Sequence, residues 1–193
     1  MSGKGEVIIY KTPDGDVILY ACGEKLCMCD WALEPRHSKI CKRLAKILGV
    51  DINEPVKEPD QTIIEEGLGK KSESGNIVIN KTIKELDEYF AGRRKEFDIP
   101  LLFAGTDFQK KVWKELLNIP YGQTVSYMDI ARRIKKPKAV RAVASAIGAN
   151  SMSIIVPCHR VIASNNTLGG YAGGLKAKKA LIEREKMNTK NKK

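Results

Sequence analysis

The sequence predicts a chain of two unlike domains. One is an α/β N-terminal domain, a small antiparallel sheet with helices over residues 1–92, and the other a mostly α C-terminal domain with a helix-turn-helix over residues 106–187. Three observations carry this. Short β-prone runs occupy 7–10, 17–22 and 25–29, separated by turn residues. From residue 106 onward apolar residues recur at helical spacing instead. Charge divides at the same place: residues 1–105 hold 16 Lys and Arg against 18 Asp and Glu, and residues 106–193 hold 18 against 5, so the second part carries all of the net +11.

Pro13, Asp14 and Gly15 supply the turn after the first run, and Gly23 with Glu24 is short enough for a hairpin, so the three runs form an antiparallel meander. Residues 38–48 place Ile40, Leu44 and Leu48 on one helical face, with Gly49 as the stop. Residues 51–75 read as polar and irregular. Thr82 and Glu85 have capping-box spacing ahead of Leu86, Tyr89 and Phe90, which predicts a helix from Thr82 to Gly92, followed by a linker over 93–105. A second capping box, Thr106 with Gln109, opens a helix with Phe108, Val112, Leu116 and Leu117 on one face. After Pro120, Tyr121 and Gly122, Ser126 with Asp129 caps a helix of two turns. Pro137 begins a third helix, with Ala139, Val140, Val143, Ala144 and Ile147 in register before Gly148. The last two have helix-turn-helix proportions, and residues 188–193 read as a basic tail.

Composition excludes several classes. With 193 residues, 42% of them hydrophobic and 30% charged, the chain is long enough to bury a core without disulfides and lies away from disordered compositions. The longest uncharged run, Ala142 to Cys158, is 17 residues and contains Gly148, Asn150 and Pro157, so it does not read as a membrane span. The N-terminus has no apolar core of a secretory signal, and five cysteines are an odd count for a paired framework. The expectation is an intracellular, reducing setting, cytoplasmic or nucleoid-associated, with no membrane partner, for a monomer. A basic second half meets phosphate or serves only solubility; charge alone leaves both readings open. Cys22, Cys27, Cys29 and Cys41 with His37 would suffice for a zinc site, but their spacing lacks the usual C-x2-C knuckle, and they read as core, with no metal assigned.

Residues 153–156 are apolar and β-prone and run into Pro157-Cys158-His159-Arg160-Val161. A free thiol is only a few per cent thiolate near neutrality, so a nucleophilic Cys158 needs a base or cation, which His159 and Arg160 would supply; the other reading is a buried cysteine. The third helix leaves Arg141, Ala142, Ser145 and Ala149 outside its apolar stripe. That face either presses on a nucleic-acid backbone with one long cation reaching in, or is a plain alanine-rich surface.

At this point the chain resembles the O6-alkylguanine-DNA alkyltransferases, also called methylated-DNA-protein-cysteine methyltransferases. Their active-site signature is the PCHRV stretch found at Pro157 to Val161. Spaced as in that family are Val125-Ser126-Tyr127, Arg141, Asn150, the stretch from Gly170 to Leu175, and Glu185. The resemblance runs from about Leu86 to Glu185 and includes Tyr89-Phe90-Ala91-Gly92 and Phe108 to Trp113; the first eighty residues match only in outline. It implies a ribonuclease H-like first domain and a winged helix-turn-helix second domain.

It implies further that Cys158 takes the alkyl group from guanine O6 in double-stranded DNA, once, with no cofactor and with the base flipped out of the duplex. His159 would act on the thiol through a water, Glu185 would accept the other imidazole N–H, and Asn150 would brace the active-site turn. Tyr127 would donate to guanine N3, the Ala172 N–H would meet O6, and the carbonyls of Cys158 and Val161 would hold the exocyclic amine, with Tyr171 and Gly173 completing the pocket. Arg141 would fill the place of the flipped base, with Ala142, Ser145 and Ser126 against DNA. Ala172 departs from the serine of some relatives. Two other readings stay open: a non-catalytic alkyl-lesion-binding or regulatory helix-turn-helix protein, which the retained Cys158 argues against, and a Cys-His hydrolase, which would turn over repeatedly.

Overall fold

Two glycine turns shape the first sheet. The computed structural model describes residues 6–32, 36–49 and 75–190, with backbone alone at 36 and 37. β1 (Glu6–Thr12), β2 (Gly15–Cys22) and β3 (Lys25–Trp31) form an antiparallel meander, paired from Thr12↔Gly15 and from Cys22↔Lys25 with an irregularity between Tyr20 and Ala21. Gly15 at φ 133° and Gly23 at φ 58° take backbone angles that side chains resist. β2 is buried continuously from Val17 to Ala21 and β3 from Leu26 to Trp31, so both faces of these strands are covered. α1 (Arg36–Leu48) packs on β3, and α2 (Ile77–Phe90) on β2 and β3.

α2 corrects the expected start at Thr82. It begins at Ile77, capped by Asn76, whose Oδ1 accepts from the N–H groups of Val78 at 2.9 Å and Ile79 at 3.3 Å. The Asn76 amide also donates to the Gly23 carbonyl at 3.0 Å, tying the helix start to the β2–β3 turn. Thr82 lies inside the helix, fully buried, its hydroxyl donating to the Val78 carbonyl at 2.7 Å. Glu85 accepts from the Asp98 N–H at 2.8 Å rather than from a cap. The β-branched run Ile77-Val78-Ile79 disguised the first turn, because such residues are weak helix formers and favour strands.

The chain divides into units Met1–Leu102 and Phe103–Lys193. The segment expected as a linker is therefore shared between them, and its first part is structured: the Leu26 N–H donates to the Pro100 carbonyl and the Leu102 N–H to the Leu26 carbonyl, both at 2.8 Å. Apart from Gly75, the expected irregular stretch 51–75 lies outside the described residues.

The second unit contains α3 (Asp107–Leu116), β4 (Val125–Ser126), α4 (Tyr127–Arg133), α5 (Val140–Gly148), β5 (Val161–Ile162) and α6 (Gly174–Lys190). Both capping boxes, Thr106 with Gln109 and Ser126 with Asp129, are formed. The buried Trp113 indole donates to the Ala146 carbonyl at 2.7 Å, fixing α3 against α5. Between α4 and α5, Lys135 takes φ 59° and Pro137–Ala139 form one 3-10 turn, completing the helix-turn-helix. β4 and β5 pair in parallel, Val125 with Val161 and Ser126 with Ile162.

Two further expectations are corrected here. Residues 153–156 form a buried turn rather than a strand: Ile154 has φ 73°, and the Val156 N–H donates to the Met152 carbonyl at 2.9 Å. A short apolar run signals burial but does not by itself select strand geometry. The first three residues of the expected tail belong to α6, which runs to Lys190 with Asn188 and Thr189 engaged; 191–193 lie outside the described residues. No described helix is long and apolar enough to cross a membrane.

Replacing Asn76 by Ala should lower stability by about 1 kcal/mol, the usual worth of such a cap, while Thr106→Ala should act comparably through α3. Urea unfolding measures both; a midpoint unchanged by Asn76→Ala would contradict the observed helix start.

Candidate active site

The site grows from the turn after Pro157. Cys158, His159 and Arg160 form one 3-10 turn, all three buried, with Cys158 only 5% exposed. Asn150, just past the end of α5, braces it: its amide donates to the Val156 carbonyl at 3.1 Å and to Cys158 Sγ at 3.2 Å, and its Oδ1 accepts from the Met152 N–H at 3.0 Å. An amide N–H directed at sulfur favours the charged thiolate over the neutral thiol.

Glu185, buried on α6, organises the other side. His159 Nε2–H donates to its Oε1 at 2.8 Å, Arg160 Nε donates to Oε2 at 2.9 Å and Arg160 Nη2 to Oε1 at 3.0 Å, and the Gly122 N–H donates to Oε2 at 2.9 Å. Burial pushes this carboxyl up, but the hydrogen bonds and charges of His159 and Arg160 outweigh it and hold it at about 2. Burial also holds the His159 imidazole below its usual 6.5, against the pull of Glu185. A neutral ring facing an anion keeps its proton on Nε2. The buried Nδ1 then carries the lone pair, and it has no hydrogen-bond partner within the described residues. His159 is the residue that follows Cys158 in the chain.

Tyr127 is the first residue of α4, directly after β4, and is half-buried. Burial and then the charge of Cys158 raise its hydroxyl above the usual 10, so it stays a proton donor. Gly169, at φ 63°, backs onto it: a Cβ there would lie 3.0 Å from the Tyr127 oxygen. Tyr171 stands edge-on to His159, ring centroids 6.4 Å apart, and Ala172 and Gly173 follow it half-exposed. Val161 is buried in β5.

On α5, Arg141, Ala142 and Ser145 are exposed and Ala149 half-exposed, opposite the buried Val143, Ala146 and Ile147. Ser126 sits elsewhere, its hydroxyl donating to Asp129 Oδ2 at 2.7 Å in the α4 cap. It lines a groove of about 440 Å³ with Thr124, Arg132 and Asn166, which holds none of the groups around Cys158.

Sequence reasoning gave one residue the wrong partner and missed another. Arg160, read as a cation beside the thiol, is spent on Glu185 and on the Ile119 carbonyl, to which its Nη1 donates at 2.6 Å, with its guanidinium 5.5 Å from the centre of the Tyr121 ring. Lys178 is fully buried on the α6 face that also carries Ala177, Leu181, Ile182 and Glu185. A lysine on an apolar helical face was the available signal. In the first unit, Cys27, Cys29 and Cys41 are buried and Cys22 half-buried, none of them in a disulfide. Among the described residues no three His, Cys, Asp or Glu side chains gather to hold a metal, while the His37 side chain lies outside them.

Family models match both halves of the chain: a 6-O-methylguanine DNA methyltransferase ribonuclease-like domain over residues 7–103, and the corresponding DNA binding domain over residues 107–187. The chain belongs to the 6-O-methylguanine DNA methyltransferase family. It is 56% identical over 102 residues to the inducible methylated-DNA--protein-cysteine methyltransferase of Bacillus subtilis, covering 53% of this chain and 57% of that protein. To the methylated-DNA--protein-cysteine methyltransferase of Mycobacterium bovis it is 55% identical over 104 residues, covering 54% of this chain and 63% of that one. The matched stretch thus spans less than two thirds of either relative. Solved structures match over nearly the whole fold: the O6-methylguanine methyltransferase of Mycobacterium tuberculosis at 35% identity and TM-score 0.72, covering 95% of this chain and 94% of that one. The OGT of the same organism in complex with DNA matches at 34% identity and TM-score 0.74, with the same coverage.

Acid should lower the stability of the second unit over two pH ranges. The lowered His159 value means the unfolded chain binds a proton below pH 6.5 that the native ring refuses, so stability falls as pH drops through that range. Glu185 contributes stability present above its ordinary 4.5, lost as pH falls toward about 2. Thermal melts from pH 7 to pH 3 should show the decline, with the lower step absent in Glu185→Gln; a melting temperature flat across this range would contradict the network.

Proposed function

We propose that this chain repairs O6-alkylguanine in double-stranded DNA by moving the alkyl group onto Cys158, once per molecule, as a monomer in a reducing intracellular setting. The observation that supports this most is the buried, unbonded Nδ1 of a neutral His159 beside a thiol that already receives the Asn150 amide. A water between Nδ1 and the thiol passes the Cys158 proton to the imidazole, and Glu185 stabilises the imidazolium that forms. The thiolate attacks the alkyl carbon, an S–C bond forms and the C–O6 bond breaks, and the electron pair departs with guanine. Tyr127 donates a hydrogen bond to N3 and the Ala172 N–H meets O6, which spreads the developing charge. The product is a thioether that water does not cleave, so no second cycle follows.

The target atom lies inside the base stack, so the base must rotate out. The small outer face of α5 fits the minor groove, and Arg141 occupies the vacated position. This is the reading in which the basic second half meets phosphate, and binding should weaken steeply as salt rises.

Incubation with methylated duplex should add one methyl to the intact protein, mapped to the Cys158 peptide, and stop at one equivalent. Cys158→Ala should abolish it, and His159→Ala should slow it by about 10²–10⁴-fold, the usual worth of a general base. Retained labelling without Cys158, or product accumulating linearly beyond one equivalent, would refute the assignment, the latter in favour of a hydrolase. Arg141→Ala should weaken transfer from duplex while sparing reaction with the free modified base. Light scattering should give the 21.5 kDa chain mass.

A further inference from the structure

Lys178 is buried with no exposure, and the described residues place no carboxylate against it. Its ammonium donates to three carbonyls: Val161 at 2.7 Å, Leu168 in a short contact, and Gly170 at 3.5 Å. A lysine has three N–H bonds, and all three are directed here. Burying a charge is unfavourable unless it is fully hydrogen-bonded, and a Leu or Met would fill this position on α6 with no such demand. What the charge supplies is order in three backbone groups that no strand or helix otherwise holds together.

Those groups converge on one side chain. Leu168 and Gly170 flank Gly169, whose Cα backs the Tyr127 hydroxyl closely enough that an added Cβ would sit 3.0 Å from it. Val161 lies opposite Val125 in the β4–β5 pair, and β4 leads directly into Tyr127. One path therefore sets the Tyr127 backbone and the other its hydroxyl, and Lys178 joins the two. We propose that Lys178 is a positioning residue for the guanine pocket, fixing the Tyr127 hydroxyl and the Val161 carbonyl by tying β5 to the 168–170 segment. The inference rests on the reading that this pocket receives guanine: Tyr127 would then donate to the base, and the second lone pair of the Val161 carbonyl would accept its amine.

The test separates guanine recognition from thiol chemistry. Lys178→Met should slow transfer from O6-methylguanine duplex by about tenfold or more, as misplaced contact groups do. Reaction of Cys158 with methyl methanethiosulfonate, which needs no base pocket and feels Lys178 only through its charge, should fall by a clearly smaller factor than transfer does, and affinity for unmodified duplex should stay within about twofold of the unaltered chain. In a Tyr127→Phe background the same substitution should lose most of its effect, because residues acting as a unit are not additive. Gly169→Ala, which crowds Tyr127 without touching Lys178, should reproduce the selective loss even if Lys178→Met folds poorly. Equal loss toward both reagents, no loss toward either, or full additivity with Tyr127→Phe would each overturn the proposal. Absence of transfer by the unaltered chain would instead overturn the functional reading.

Discussion

The site depends on one carboxylate that is kept ionised away from water. Glu185 takes hydrogen bonds from His159, from two nitrogens of Arg160 and from the Gly122 backbone, so its negative charge is neutralised locally. Remove that charge and the imidazole loses the partner that fixes its tautomer, and Arg160 is left buried with an unpaired guanidinium. The remaining contacts follow: Arg160 reaches the Ile119 carbonyl, and Asn188 donates to the Tyr121 hydroxyl at 3.1 Å, so α6 holds the connection between α3 and β4 as well as the turn from Cys158 to Arg160.

Asn150 and Lys178 play corresponding parts on the thiol and the pocket. Each is a buried polar side chain whose donors reach backbone carbonyls of irregular chain: Val156 for Asn150, and Leu168 and Gly170 for Lys178, which also reaches Val161 in the short strand β5. Segments without ladder hydrogen bonds need such partners when they are buried. The reactive part of this fold is therefore built from turns secured by side chains rather than from sheet or helix interiors.

Much of this was legible in the sequence. The three-strand meander followed from glycine turns between β-prone runs, and the α3 and α4 starts from capping boxes that depend only on neighbours three residues apart. Cys158 and His159 were singled out from thiol chemistry, while Asn150, Glu185 and Tyr127 entered only as what the family resemblance implies. The failures share a cause. Asn76 caps a run that looks like a strand; Thr82 and Glu85 imitate a capping box, yet bond to Val78 and Asp98; and residues 153–156 are apolar because they are buried, not because they pair. In each case tertiary partners distant from the local pattern decided the outcome. Lys178 escaped notice because a cation is ordinarily read as surface, and Arg160 was assigned to the thiol rather than to Glu185; only three-dimensional neighbours reveal where a buried cation is bonded.

Gly122 illustrates how narrow the sequence space around such a network becomes. At φ 77° it passes so close to α6 that a single added carbon would fall 2.6 Å from Thr189 Oγ1 and 3.2 Å from the Glu185 carbonyl, while its own N–H is bonded to the Glu185 carboxylate. Every missense change of a glycine codon introduces at least a methyl group. This crossing has no neutral neighbours for genetic drift to explore, so divergence in this region must proceed by altering what surrounds the glycine.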